Sequence, residues 1–290
     1  MTYRSDLIIE AMEMEIGASV GAEQYREMPE NPKGVVITEN RNPGKNMKVT
    51  VVQIQNEEGA KALGRPTGTY ITMEFPELLS EEEALKELAE AELSHQLTEL
   101  LAGKKAEHVL VVGLGNREVT ADAVGPLTID NLMVTRHYFQ EESVGKAVGK
   151  KYRKVSALVP GVMAQTGMET MELIRGVVEQ TKPDVVFAVD ALAARSPKRL
   201  NTTIQLTDTG ISPGAGVGNN RKELNEKSLG CPVIAIGVPT VLDAVTIAKE
   251  EDAEDVKEFF VMPRTIDSAV QYVSELIAGG INRVNQKEKY

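Results

Sequence analysis

Two acids stand where chemistry could happen. Asp122 follows "VVGLGNREVTA", and Asp190 closes "DVVFAVD". Each comes at the end of an apolar, strand-like run. In an open parallel sheet the carboxyl ends of the strands are where ligands bind. A carboxylate at the edge of a buried strand is costly unless it is paired or used. If the two acids face one crevice, they share a proton and one pKa rises. One acid then activates a water while the other protonates a leaving group, which suffices to hydrolyse a peptide bond without serine, cysteine or metal. Each acid also has an ordinary reading. Asp122 is a fit N-cap for the helix that follows, a role Thr120 could fill instead. Asp190 could bond to the next turn or pair with Arg195. Both readings stand at this point.

Other chemistries find less support. "GLGN" resembles the start of a dinucleotide fingerprint, G-x-G-x-x-G, but the third glycine is missing and the next helix starts too late to face a pyrophosphate. The turn alone is an ordinary strand exit with Asn116 bonding local backbone. The chain has three histidines, His95, His108 and His137. None sits in a nucleophile elbow, and no H-x-x-x-H pair exists for zinc. "ARSPKR" places Arg195, Lys198 and Arg199 just past Asp190. That cluster reads as a solvated turn, as support for a carboxylate, or as a recognition site for acidic side chains. "DTGISPGAGVGNNRKEL", residues 208–224, reads as an anion nest, a flap over a cleft, or a surface loop.

Composition narrows the class. The chain has 290 residues, 42% hydrophobic and 26% charged, enough for a full core. With 32 Lys and Arg against 43 Asp and Glu, the net charge is −11. Such a chain repels a phosphate backbone, so direct nucleic-acid binding is not expected. The single cysteine, Cys231, excludes an intramolecular disulfide and lies in the apolar run "LGCPVIAIGVP". The amino terminus, "MTYRSDLIIEAMEMEIG", is too interrupted by charge to be a signal peptide. No stretch approaches the roughly 18 apolar residues of a membrane-spanning helix. No membrane association is expected, and the cytoplasm is the expected compartment.

The elements that must position the acids follow from periodicity. "GVVITE" 34–39, "MKVTVVQIQ" 47–55 and "TYITMEF" 69–75 read as strands of an antiparallel region, with "NEEGAKALGRPTG" as a connection. "EMPENPKG" and "ENRNPGKN" read as turns. Ser80 and Glu83 make a capping-box pattern that opens a leucine-rich helix ending at Gly103. Strand and helix then alternate. Strands are expected over 108–115, 155–161, 184–192 and 231–239. Helices are expected over 122–135, 168–181, near 240–250 and over 264–280. Continuous apolar strands separated by helices imply a mostly parallel sheet covered on both faces. Residues 1–80 are expected as an amino-terminal segment packed on an α/β core of residues 81–290.

These strings, in order, resemble the spore germination protease family of Bacilli and Clostridia. The likeness is carried by "VVGLGNREVTADAVGPLTIDNLMVTRH", "VSALVPGVMAQTGMET", "IRGVVEQTKPDVVFAVDALAARS", "NTTIQLTDTGISPGAGVGNNRKEL" and "LGCPVIAIGVPTVLDAVTIA". "YRSDLIIEA" is similar to the family's mature amino terminus. The resemblance implies an endopeptidase, classed with aspartic peptidases, that starts degradation of small acid-soluble spore proteins during germination. It implies a homotetramer made as a zymogen in the forespore and acting in the spore core. It places the two catalytic aspartates at Asp122 and Asp190. Asn116, Thr120, Arg195, Thr240 and Asp243 are the candidates for supporting or substrate-binding roles.

The same turn-plus-acid also resembles the nickel-hydrogenase maturation proteases, which implies a three-layer α/β/α sandwich and keeps metal-directed cleavage as an alternative function. That family's third nickel ligand is a histidine where this chain has Thr240 and Asp243, so neither metal nor other cofactor is expected. Two departures stand out. Only Met1 to Tyr3 precede the Arg4-Ser5-Asp6-Leu7 match, so the family's usual removable segment is expected to be nearly absent. "MEMEIGAS" offers a loose self-cleavage match at Glu15-Ile16, or is simply an acidic helix end. Between Lys249 and Met262 the chain is shorter than many members, and the missing insertion is expected to be dispensable for chemistry.

Overall fold

The computed structural model describes residues 6–15, 32–42, 47–80, 82–212, 222–248, 256 and 259–287. Most of the Gly-rich tract, the Glu15-Ile16 site, much of the two Pro/Gly turns and the shortened stretch after Ala248 lie outside the described residues. The helices are α1 Ile8–Glu15, α2 Glu57–Leu63, α3 Glu83–Leu100, α4 Val124–Asp130, α5 Glu142–Lys151, α6 Met163–Thr166, α7 Thr170–Thr181, α8 Glu226–Leu229 and α9 Ile266–Val284. The strands are β1 Val35–Asn42, β2 Met47–Ile54, β3 Gly68–Glu74, β4 His108–Gly113, β5 Lys154–Leu158, β6 Val185–Ala194, β7 Thr203–Thr207, β8 Val233–Asp243 and β9 Phe260–Val261.

All nine strands join one sheet in the order β1-β2-β3-β7-β8-β6-β4-β5, with β9 added to the end of β8. Strands β5, β4, β6 and β8 are parallel neighbours and form the core. The amino-terminal strands β1, β2 and β3 are antiparallel, as their alternation implies, and β7 splices them to β8. The parallel strands are apolar at nearly every position because both faces are covered. Val109, Val111, Phe187 and Ile234 pack under α3, α4 and α9. Leu110, Val112, Val186 and Val233 face the opposite side, against Met171, Ile174 and Val178 of α7. The result is the expected three-layer α/β/α sandwich, extended by an antiparallel wing.

Several local expectations need correction. The 56–68 connection contains α2, capped by the Asn56 side chain accepting from the Gly59 amide and closed by Gly64 at φ 60. The Asn N-cap outweighs the three glycines and the proline that suggested a plain connection. The acidic start folds as α1, in keeping with its reading as an acidic helix end, and α5 and β7 form in stretches for which no element was named. The Ser80–Glu83 capping box does not form. Ser80 ends a short 3-10 turn, and the N-cap of α3 is Glu82, without a side-chain cap. The helix expected near 240–250 is instead the end of β8, which runs to Asp243, followed by the 3-10 turn Ala244–Thr246. β-Branched Val238, Thr240 and Val241 keep the chain extended beside β6. For the same reason Asp190 is not a strand-end residue: β6 continues past it for four residues.

Candidate active site

The strand β4 ends at Gly113, and Leu114 still donates its amide to the Val189 carbonyl of β6 at 2.8 Å. The chain then turns back on itself. Gly115 adopts φ +106, and a Cβ there would stand 2.0 Å from the Asp122 carbonyl oxygen. Only glycine allows that approach. The Asn116 amide donates to both the Asp122 carbonyl, at 3.0 Å, and the Asp122 carboxylate Oδ2, at 2.8 Å. Asn116 Oδ1 accepts from the Glu118 amide at 3.1 Å and from Gln165 Nε2 at 2.9 Å, tying the turn to α6.

Asp122 closes a 3-10 turn over Thr120–Asp122. It does not cap α4, whose N-cap is Ala123 and lacks a side-chain bond, and Thr120 does not cap it either. The helix-cap explanation for Asp122 therefore fails. The turn packs on both β6 and β8. Thr240 of β8, wholly buried, donates Oγ1 to the Ala121 carbonyl at 2.6 Å.

Asp190 lies mid-strand in β6, opposite Gly237 of β8, and is 5% exposed. Its Oδ1 accepts the amide of Ala191 at 3.0 Å. Asp122 and Asp190 line the same cavity, of about 510 Å³, over the carboxyl ends of the parallel strands. Thr240 also lines it. Thr207, Thr209, Gly210 and Ile211 form another wall, at the root of the Gly-rich tract, where Ile211 and Leu224 exchange backbone hydrogen bonds.

The remaining sequence candidates lie outside the cavity wall. Asn116 and Thr120 belong to the turn that carries Asp122. Arg195 donates its backbone amide to Glu10 at 2.7 Å. Asp243 accepts from the Val245 amide at 3.1 Å and so caps the 3-10 turn after β8. Among the described residues, no three His, Cys, Asp or Glu side chains gather as a metal-binding group.

The amino-terminal segment supplies wall residues that residue-by-residue reading missed. Asp6 lines the cavity. Its amide donates to the Ala193 carbonyl at 3.1 Å, and its Oδ2 accepts from the Ala193 amide at 2.9 Å. Burial pushes the Asp6 carboxyl above its ordinary range, against the Ala193 hydrogen bond and the positive charge of Arg65. Arg65 and Tyr70 come from the stretch around α2 and β3. Four residues on, the buried Glu10 carboxylate accepts from the amides of Arg195 and Ser196 and from Arg199 Nη1. The only sequence signal for this arrangement was the spacing of Asp6 and Glu10 in "RSDLIIE".

A family model described as germination protease matches residues 8–259. A germination protease of Caldanaerobacter subterraneus subsp. tengcongensis is 46% identical over 287 residues, covering 99% of this chain and 81% of that protein. One from Geobacillus sp. (strain WCH70) is 46% identical over 86% of this chain and 66% of its own length. One from Clostridium perfringens (strain ATCC 13124) is 38% identical over 96% and 94%. Among solved structures, the NiFe hydrogenase maturation protease HycI from Thermococcus kodakarensis KOD1 overlaps 64% of this chain and 98% of its own, at 19% identity and a TM-score of 0.38.

Proposed function

Because the chain belongs to the germination protease family, we propose that it is the endopeptidase that begins degradation of small acid-soluble spore proteins, with Asp122 and Asp190 as its catalytic pair. The observation that carries this reading is that both carboxylates line one cavity at the functional end of the parallel core. A peptide bound there presents its scissile carbonyl to a water held by one carboxylate. That carboxylate takes the water's proton as oxygen attacks carbon. The second acid, protonated at the outset, gives its proton to the departing amine. Asn116 and Thr240 hold the Asp122 turn, the first through its amide and the second through Ala121. Assembly as a homotetramer, synthesis as a zymogen and action in the spore core belong to the same reading and rest on family membership.

The test is fragment mass spectrometry. A purified small acid-soluble spore protein is incubated with wild type, Asp122→Asn and Asp190→Asn. Wild type yields discrete internal cuts. Each Asn variant is expected to fold and to yield none. Near-normal cutting by either variant rejects the pair, and loss of wild-type cutting on chelation with restoration by metal favours a metal-directed protease instead.

A further inference from the structure

We propose that Asp6 is a third acid in contact with substrate, its carboxyl donating a hydrogen bond to a carbonyl of the bound peptide. The inference rests on the cavity being the peptide site. Asp6 reaches this wall because the segment before α1 runs beside β6, just past Asp190. One backbone–backbone bond and one backbone–carboxyl bond fix it to Ala193, and Gln205 locks the same segment. Gln205 Nε2 donates to the Asp6 carbonyl at 3.1 Å, and its Oε1 accepts the Ile8 amide at 2.6 Å. A side chain held this tightly is preorganised for a ligand rather than left to solvent. With Oδ2 committed to Ala193, Oδ1 remains for whatever occupies the cavity.

The charge of the cavity decides which form of Asp6 is used. Asp122, Asp190 and Glu223 line it with Asp6. Glu10 adds its charge from α1, and Arg65 opposes it from the end of α2. Tyr70 faces the cavity from β3. Carboxyls that share one cavity disfavour one another's ionisation, so the third acid is the less ready to lose its proton. Burial acts the same way, raising Asp6 above the ordinary aspartate range. Asp6 therefore keeps its proton where an exposed aspartate has lost it. A protonated carboxyl can donate to a peptide carbonyl, which an ionised one cannot. Raising the pH through the Asp6 pKa removes the donor.

Asp6→Asn preserves the acceptor for Ala193 and a fixed N–H donor but cannot ionise. Asp6→Ala removes donor and acceptor alike. The pH dependence of kcat/KM on a purified small acid-soluble spore protein is measured for wild type and both variants, with thermal unfolding to confirm folding. The Asn variant is expected to lose activity less steeply than wild type on the alkaline side. The Ala variant is expected to raise KM about tenfold, the worth of one hydrogen bond. An alkaline limb in Asp6→Asn that superimposes on wild type overturns the proposal, as does an unchanged KM in a folded Asp6→Ala. If Asp6→Ala fails to fold, the Asn profile decides alone. Asp122→Asn and Asp190→Asn, assayed alongside, report on the catalytic pair separately: their activity would reject the pair whatever Asp6 does.

Discussion

The Asn116 amide reaches Asp122 twice, at 2.8 Å to carboxylate Oδ2 and at 3.0 Å to the carbonyl. One N–H thus closes the turn and aims the side chain. The carboxylate is oriented by backbone geometry, which costs little reorganisation when charge develops during reaction. That economy depends on Gly115, whose hydrogen points where any side chain would strike Asp122.

Gly115→Ala should therefore damage the site more than the fold. The positive φ and the 2.0 Å approach both penalise a methyl group. We expect a loss of about 2 kcal/mol or more, which lowers Tm by roughly 3 °C or more in a chain of this size. Activity should fall by at least tenfold even at temperatures where the variant is folded. Calorimetry with cleavage assays measures both, and a wild-type rate would show that the turn does not aim Asp122.

Thr240 should show a different pattern. Its hydroxyl is a buried donor to the Ala121 carbonyl, one residue before Asp122. Thr240→Val keeps the shape and leaves that carbonyl without its donor, costing about 1–3 kcal/mol. Thr240→Ser restores the donor and should recover most of kcat. If serine and valine variants cut equally fast, the hydroxyl does not steady the catalytic turn.

Much of this was readable beforehand, for a physical reason. The parallel core announces itself because strands buried on both faces must be apolar throughout, as in "HVLVVG" and "VVFAVDALAA". Asp190 is visible as an acid inside such a run, and Asp122 as an acid a turn beyond one. What lay hidden depends on contacts distant in sequence. Asp6 and Ala193 are 187 residues apart, and no local period connects them. The continuation of β6 and β8 past their expected ends is likewise a pairing effect: each extends because the other does. α2 was missed because glycine and proline at its end outweighed an Asn cap at its start.

Glu10 should prove to be a stability determinant. Its carboxylate, almost wholly buried, satisfies two amides after β6 and the Arg199 guanidinium at 2.9 Å. Glu10→Ala leaves the two amides without their acceptor and Arg199 with Glu74 at 3.6 Å as its remaining carboxylate, a loss of about 1–3 kcal/mol. Glu10→Gln retains an acceptor oxygen and should lose less. Urea unfolding ranks the three proteins. Equal midpoints would mean that α1 does not secure the end of β6.

Cys231 is buried and its thiol is raised, first by burial and then by Glu226 and Asp184. The thiolate is the reactive form. Maleimide at neutral pH should label the native protein slowly and the urea-unfolded protein fast. Rapid native labelling would show that the link between α8 and β8 opens readily.

The amino-terminal ends of β4 and β6 carry two pH sensors that act in separate windows. Burial, then the charges of Lys154 and Arg136, lowers His108 from its ordinary pKa. Asp184 is also lowered: burial opposes this, but hydrogen bonds from Lys105 and from the His108 amide at 2.8 Å prevail. For both groups the unfolded chain takes up its proton first as pH falls, so stability is complete above the unfolded pKa and drains away below it. The His108 contribution should begin to fade below about pH 6.5 and the Asp184 contribution below about pH 4, the unperturbed values. Urea midpoints measured from pH 8 downward should fall in two stages. His108→Gln should remove the upper stage and leave the lower. Asp184→Asn keeps an acceptor for the His108 amide, so it should flatten the lower stage while the upper one persists. A single stage unaffected by either substitution would place the acid sensitivity elsewhere.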